Sequence, residues 1–280
     1  MIENVNLNEN QVKVSRNKER KQSFAKVANE RLGQTRINNQ GEVMFIVEYI
    51  NAHDITVQFK KTSELVKTDY KNFIKGSVKS HFTASVYGVG ITGLQPTRDE
   101  NGEQLNSYKC WCEMLRRCYS SKLQEKYQTY IGCSVCDDWL FYPNFKNWYD
   151  KSYYEIDGKT SQLDKDILVK GNKIYSAETC IFVPQFINKL FTKRQNGRGE
   201  LPIGVYYDKT KKKYVAQLSV FKDGRSVRKN LGRFNTADEA FEVYRKAKED
   251  YIKEVADEYK DKIPVKLYEA MYSYEVSIND

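Results

Sequence analysis

Three groups of residues in this chain are of types and spacings that could do chemistry. Asp164-Lys165-Asp166 sets two carboxylates around an amine, with Gly171-Asn172 and Asn188 downstream. Proton transfer near neutrality works best with a group that titrates there. A lysine at about 10.4 and a carboxylate at about 4 both miss that range unless their surroundings move them. The second group is basic. Residues 201–235 hold nine Lys or Arg (Lys209, Lys211, Lys212, Lys213, Lys222, Arg225, Arg228, Lys229, Arg233) against two acids, Asp208 and Asp223. The whole chain carries +9, so this stretch supplies most of the excess. A local basic patch points to a polyanion, most often nucleic acid. The third group is the cysteines. Cys110 and Cys112 form a CxC and Cys133 and Cys136 a CxxC, with Cys118 and Cys180 apart. Structural zinc takes four ligands. There is no second CxxC, and Cys180 sits in an apolar run, so the six read as free thiols and zinc is not expected.

The elements that position these groups follow from composition and pattern. A chain of 280 residues fits two or three modest domains. Apolar residues at 40% allow real cores, and aromatics at 13% must supply much of the packing. With 30% charged residues and a mean hydropathy of −0.72, no membrane span is expected. The polar start carries no secretory signal, which suggests a cytoplasmic, DNA-associated protein with no membrane partner.

Residues 1–40 read as a polar basic arm, with a short helix carrying Phe24, Val27 and Leu32 and stopped at Gly33. Residues 41–85 read as a small β-rich module of SH3-like size. It has a hairpin across Asn51-Ala52-His53-Asp54, a further strand or two broken at Gly76, and room for a protein partner. His53 and His81 read as surface residues. Residues 86–107, Gly-rich and polar, read as a linker. Residues 108–194 begin with a helix that buries Trp111, Met114, Leu115 and Cys118, followed by aromatic residues Trp139, Phe141, Phe145 and Trp148 around a second helix. A basic, Gly-containing linker covers 192–200. Residues 195–262 hold three strands and a long helix with Thr236 as N-cap, Glu239 completing a capping box, and a stripe of Ala240, Val243, Tyr244 and Ala247. Residues 263–280 should pack back as a short helix and strand.

On the middle strand of that last domain, Tyr214, Ala216, Leu218 and Val220 alternate with Val215, Gln217, Ser219 and Phe221. The helix needs close approach and should cover the Ala216 side, with Val227, Leu231 and Phe234 inward from the third strand. Gln217, Ser219, Arg228 and Asn230 are then left on an open face between lysine-rich turns. Lysines hold phosphates, while Arg, Asn and Gln make bidentate contacts to bases.

"IGVYYDKTKKKYVAQLSVFKDGRSVRKNLGRFNTADEAFEVYRKAKEDY" resembles an AP2-type DNA-binding domain over roughly 60 residues, most specifically in "LGRFNTADEAFEVY". The resemblance implies a sheet docked in the major groove, read through Tyr206, Gln217, Ser219, Arg228 and Asn230, with Lys211, Lys212, Lys213, Arg225, Lys229 and Arg233 toward phosphates. "YKCWCEMLRRCYS", "YQTYIGCSVCDDWLFYPNFKNWYD" and "LDKDILVKGNKIYSAETCIFVPQFIN" resemble, in order, the pieces of HNH endonucleases of phages and mobile elements over roughly 85 residues. That likeness implies a ββα unit with Asp164 and Asn188 on a divalent metal such as magnesium, Asn172 orienting the loop, and a histidine base where this chain has Lys165. Asp166 is the nearest substitute base. The expected architecture is α+β and multi-domain: a barrel-like N-terminal module, an HNH-like ββα unit and an AP2-like sheet plus helix. Double-stranded DNA is the expected partner. With the base replaced, the ββα unit reads as binding rather than cutting. A Mg-dependent endonuclease or nickase is the alternative, and a host-interaction or regulatory phage protein acting through protein contacts is a third.

Overall fold

The computed structural model describes residues 9–192, 200–222 and 225–278. The start of the arm, most of the 192–200 linker and the turn at Asp223-Gly224 lie outside the described residues. Helices and strands are both abundant, so the chain is α+β. It forms two compact units: residues 1–105 with 140–143, and residues 106–139 with 144–280.

In the first unit, α1 (Glu9–Arg31) is longer than the short helix expected from the sequence. Lys, Arg, Glu, Gln and Ala all favour helix, and Gly33 follows with φ +76°. Phe24 and Leu32 are exposed and Val27 is half-buried, so the three do not form a buried stripe. The strands β1 (Thr35–Ile37), β2 (Val43–Asn51), β3 (Asp54–Phe59) and β4 (Leu65–Thr68) form one antiparallel meander in sequence order. The sheet therefore starts in the expected arm and has two edges rather than a barrel-like closure. The expected hairpin is present, with Asn51 opposite Asp54. Met44, Ile46, Ile55, Val57 and Phe59 alternate onto one face and pack with Phe73 and Val78.

The expected strand before Gly76 is instead a helix, α2 (Tyr70–Lys75). Asp69 caps it by accepting from Asn72 N at 2.6 Å. Gly76 ends it with φ +66°, and a Cβ there would lie 3.2 Å from Ile37 O and 3.3 Å from Asn38 Cα. The expected linker at 86–107 is in part folded into this unit. Ile91 bridges to Phe141, and Gly93 sits against the Phe141 ring. His81 does more than face water: its Nδ1 lies 2.5 Å from Glu64 Oε1. The other Glu64 oxygen accepts from Ser80 Oγ and His81 N.

The second unit opens with α3 (Asn106–Tyr119), which buries Trp111, Met114, Leu115 and Cys118 at the expected spacing. Then come α4 (Ser121–Lys126), β5 (Ser134–Val135), α5 (Asp137–Leu140) and α6 (Tyr142–Ser152). Trp139, Phe145 and Trp148 make one aromatic cluster, which Phe182 joins through Trp148. β6 (Ser161–Asp164) pairs antiparallel with β8 (Ile181–Pro184), while the short β7 (Ile174–Tyr175) between them pairs with β5. α7 (Gln185–Asn188) follows β8 directly, completing a β-β-α arrangement.

β9 (Val205–Asp208), β10 (Lys213–Lys222) and β11 (Arg225–Phe234) form an antiparallel sheet with β10 in the middle. α8 (Ala237–Glu258) starts at the expected capping box of Thr236 and Glu239. α9 (Val265–Tyr272) follows, and among the described residues after it there is no strand. The first half of α8 covers the sheet with Ala240, Phe241 and Tyr244. Phe241 takes the buried place expected for Val243, which is exposed. Its second half packs Ile252, Val255 and Ala256, with Leu267 and Met271 of α9, against Ile181, Val183 and Ile187. One helix thus packs against both the sheet and the ββα element. Gly204, φ +76°, lets β9 begin beneath the Tyr244 ring; a Cβ there would be 2.1 Å from Tyr244 Cδ2.

Candidate nucleic-acid interface

The register of the β9–β11 sheet decides which side chains share a face. Tyr214, Ala216, Leu218 and Val220 pack toward α8. Their alternates on β10 lie on the other side. Tyr206 and Arg233 stand opposite Val215, Asn230 opposite Gln217, and Arg228 opposite Ser219. Directly opposed residues share a face. So Tyr206, Gln217, Ser219, Arg228, Asn230 and Arg233 are gathered on the face away from the helix. Gln217 is half-buried and the rest are exposed.

A β-bulge makes this set possible. Leu231 is the extra residue on β11, because Ala216 pairs with Gly232 and Gln217 with Asn230. Strict alternation would have turned Arg233 inward and Phe234 outward. The bulge keeps Leu231 and Phe234 in the core while Asn230 and Arg233 face out. Asn230 Oδ1 accepts from Gly232 N at 3.0 Å, so the amide also fixes the bulge. Its marks in the sequence are Gly232 and Phe234, the latter an apolar residue out of phase with Val227 and Leu231. Val227, expected inward, is exposed near the end of the sheet.

The cations around this face are partly ordered. Asp208 Oδ1 accepts from Thr210 N and Lys211 N, turning the β9–β10 loop and leaving Lys211 and Lys212 in solvent. Lys213 Nζ is bonded to Asn235 Oδ1. Arg233 Nε lies 3.7 Å from Asp208 Oδ2. Arg225 and Lys229 are exposed on β11. Lys229 stands opposite Leu218 and Arg225 opposite Lys222, both on the helix side of an edge strand rather than on the open face.

Asp164, Lys165, Asp166 and Asn188 line one cleft of about 470 Å³, together with Thr129, Tyr130 and others. Asp164 ends β6, and its Oδ1 accepts from Asp166 N and Ile167 N, both at 2.8 Å. Burial raises the Asp164 carboxyl above its ordinary range, and those two N–H bonds pull it part of the way back. Asn188 Nδ2 donates to Gln162 Oε1 at 3.2 Å. Asn172 Nδ2 donates to Lys165 O and Ile174 O, so it closes the loop as an orienting residue.

Lys165 is buried, and its Nζ donates to both oxygens of Asp166 at 2.8 Å and to Asn172 O at 2.7 Å. Three acceptors around one amine fit an ammonium with all three N–H groups used. The two candidate bases are therefore bonded to each other, and Lys165, at the wall of the cleft, ties the loop with its amine. Lys170 and Lys173 behave alike: Lys170 donates to Glu275 O, and Lys173 to Thr129 O and Ile131 O.

A divalent ion here would find a carboxylate and an amide on one cleft. Oxygen donors of this kind, few in number, suit magnesium, which keeps several of its waters. Among the described residues, no group of three or more His, Cys, Asp or Glu side chains gathers in metal-binding fashion. All six cysteines are free thiols. Burial pushes Cys110, Cys118 and Cys180 up to about 12, which disfavours their thiolates.

Compared with protein-family models, with curated proteins and with solved structures, the chain gave no significant match.

Proposed function

We propose that this protein binds double-stranded DNA, laying the exposed face of the β9–β11 sheet in the major groove. The observation that carries this is the register. It collects two arginines, two amides, a serine and a tyrosine on the face away from α8, around the buried Val215, with Lys211 and Lys212 at its margins. Arg, Asn and Gln read base edges bidentately, and the marginal cations suit phosphates. Among the described residues of the sheet, the one carboxylate, Asp208, turns its oxygens to its own loop and to Arg233. On this reading the ββα element is a second surface near DNA that does not cut, because Lys165 and Asp166 neutralise each other where a hydrolytic base is needed.

The shared cleft of Asp164 and Asn188 favours a second reading, a magnesium-dependent nickase. The ion would polarise a bound phosphodiester. Of this chain's residues, Asp164 and Asn188 would hold it and Asn172 would keep the loop in shape. Supercoiled plasmid with Mg²⁺ or Mn²⁺ separates the two readings. The first expects intact plasmid from the native chain; nicked circles lost on Asp164→Ala would establish the second. For the DNA face, Arg228→Ala should weaken binding to a selected duplex by about 1–3 kcal/mol if the guanidinium reads a base. An equal loss on every sequence would make it a phosphate contact.

A further inference from the structure

The open face ends in a large apolar side chain that DNA binding through phosphates does not need. Phe221 follows Val215, Gln217 and Ser219 on the same side of β10 and is 52% exposed. Its backbone is held. β9 pairs with β10 only as far as Ala216, so the far part of β10 has lost one neighbour. Tyr251 of α8 supplies what is missing: Phe221 N donates to Tyr251 Oη at 2.7 Å. The ring thus stands on a fixed piece of backbone, on the face that carries Arg228 and Ser219. An exposed ring on a basic face is suited to the one apolar feature of the major groove, the C5-methyl of thymine.

We infer that Phe221 is a specificity-determining residue that packs on thymine methyl groups at one end of the bound DNA. The inference rests on the proposed DNA-binding face and adds the base class it prefers. A methyl removed from water by contact corresponds to about 0.8 kcal/mol, or roughly a fourfold change in affinity.

The test uses the full chain and two duplexes of about 30 base pairs, one alternating dA-dT and one with every dT replaced by deoxyuridine. The hydrogen-bonding edges and phosphates are the same; only the methyls differ. Native protein should bind the thymine duplex several-fold more tightly. Phe221→Ala should bind the thymine duplex more weakly and lose the difference between the two. Phe221→Leu, which keeps apolar contact, should retain part of it, and circular dichroism checks that each variant is folded. Equal affinity of native protein for both duplexes would overturn the inference while leaving DNA binding intact. So would a thymine preference that survives in a folded Phe221→Ala. Failure to bind either duplex at low salt would overturn the DNA-binding reading itself, and the inference with it.

Discussion

Gly204→Ala tests how the β9–β11 sheet is seated on α8. Gly204 has φ +76°, and a Cβ there would fall 2.1 to 2.4 Å from three atoms of the Tyr244 ring. Alanine in a left-handed conformation costs about 1–2 kcal/mol. Forcing a buried ring aside costs about 1–3 kcal/mol more. The sum is roughly 2–5 kcal/mol, enough to unfold a marginal protein in part. Tyr244 is buried, and Tyr244→Ala alone should cost about 3–5 kcal/mol. The informative number is the coupling. With the ring gone, Gly204→Ala keeps only its backbone penalty of about 1–2 kcal/mol, so the double variant should be about 1–3 kcal/mol more stable than additivity expects. Urea unfolding of the native chain, both single variants and the double variant, followed by circular dichroism, measures it. Tyr244→Leu gives a milder second background. Additivity within about 0.5 kcal/mol would refute the arrangement, because the ring would not then lie over Gly204.

Lys165→Met should destabilise the chain by about 1–3 kcal/mol, since a charged donor with three acceptors is lost; an unchanged denaturation midpoint would show that the loop does not depend on it. Asp164→Asn keeps an Oδ1 for the two loop N–H groups and removes a carboxylate that burial disfavours. Because the native carboxyl is raised, its penalty is present at neutral pH and disappears as pH falls through its titration. The variant should therefore be the more stable at pH 7, with a gain that fades in acid, and thermal melts that show a loss at pH 7 would contradict this. Cys118 and Cys180, buried and pushed up to about 12, should react with a thiol reagent at pH 8 only after unfolding. Fast labelling of the two in native protein, located by mass spectrometry, would show them to be accessible thiolates.

What could be read in the sequence was whatever repeats at a fixed period. α3 showed itself through Trp111, Met114, Leu115 and Cys118, and α8 through its capping box. The two faces of β10 followed from alternation, which is why the open-face residues fall together. The misses are places where distant chain decides. Residues 70–75 look strand-like in Tyr, Phe and Ile, but the Asp69 cap and the Gly76 stop make them a helix. The 86–107 segment looks like linker because its partners, Leu140 to Pro143, lie far along the chain. Val243 fits the helical stripe as well as Phe241 does; which is buried depends on how the sheet twists beneath α8. Lys165 stands where the resemblance expects a histidine, but the sequence does not mark it as the tie of its own loop. That role needs Asn172 to return to it, a contact made by loop closure rather than by spacing.

A chain that grips duplex DNA through a charged sheet face must bind it in a salt-dependent way. Binding of the full chain to a fluorescent duplex, titrated from low to physiological salt, tests it most directly. Several released counterions should make affinity fall steeply, with a linear double-logarithmic slope. Lys211→Ala and Lys212→Ala should each reduce that slope by about 1. Affinity that does not change with salt, or a slope indifferent to both lysines, would contradict the claim.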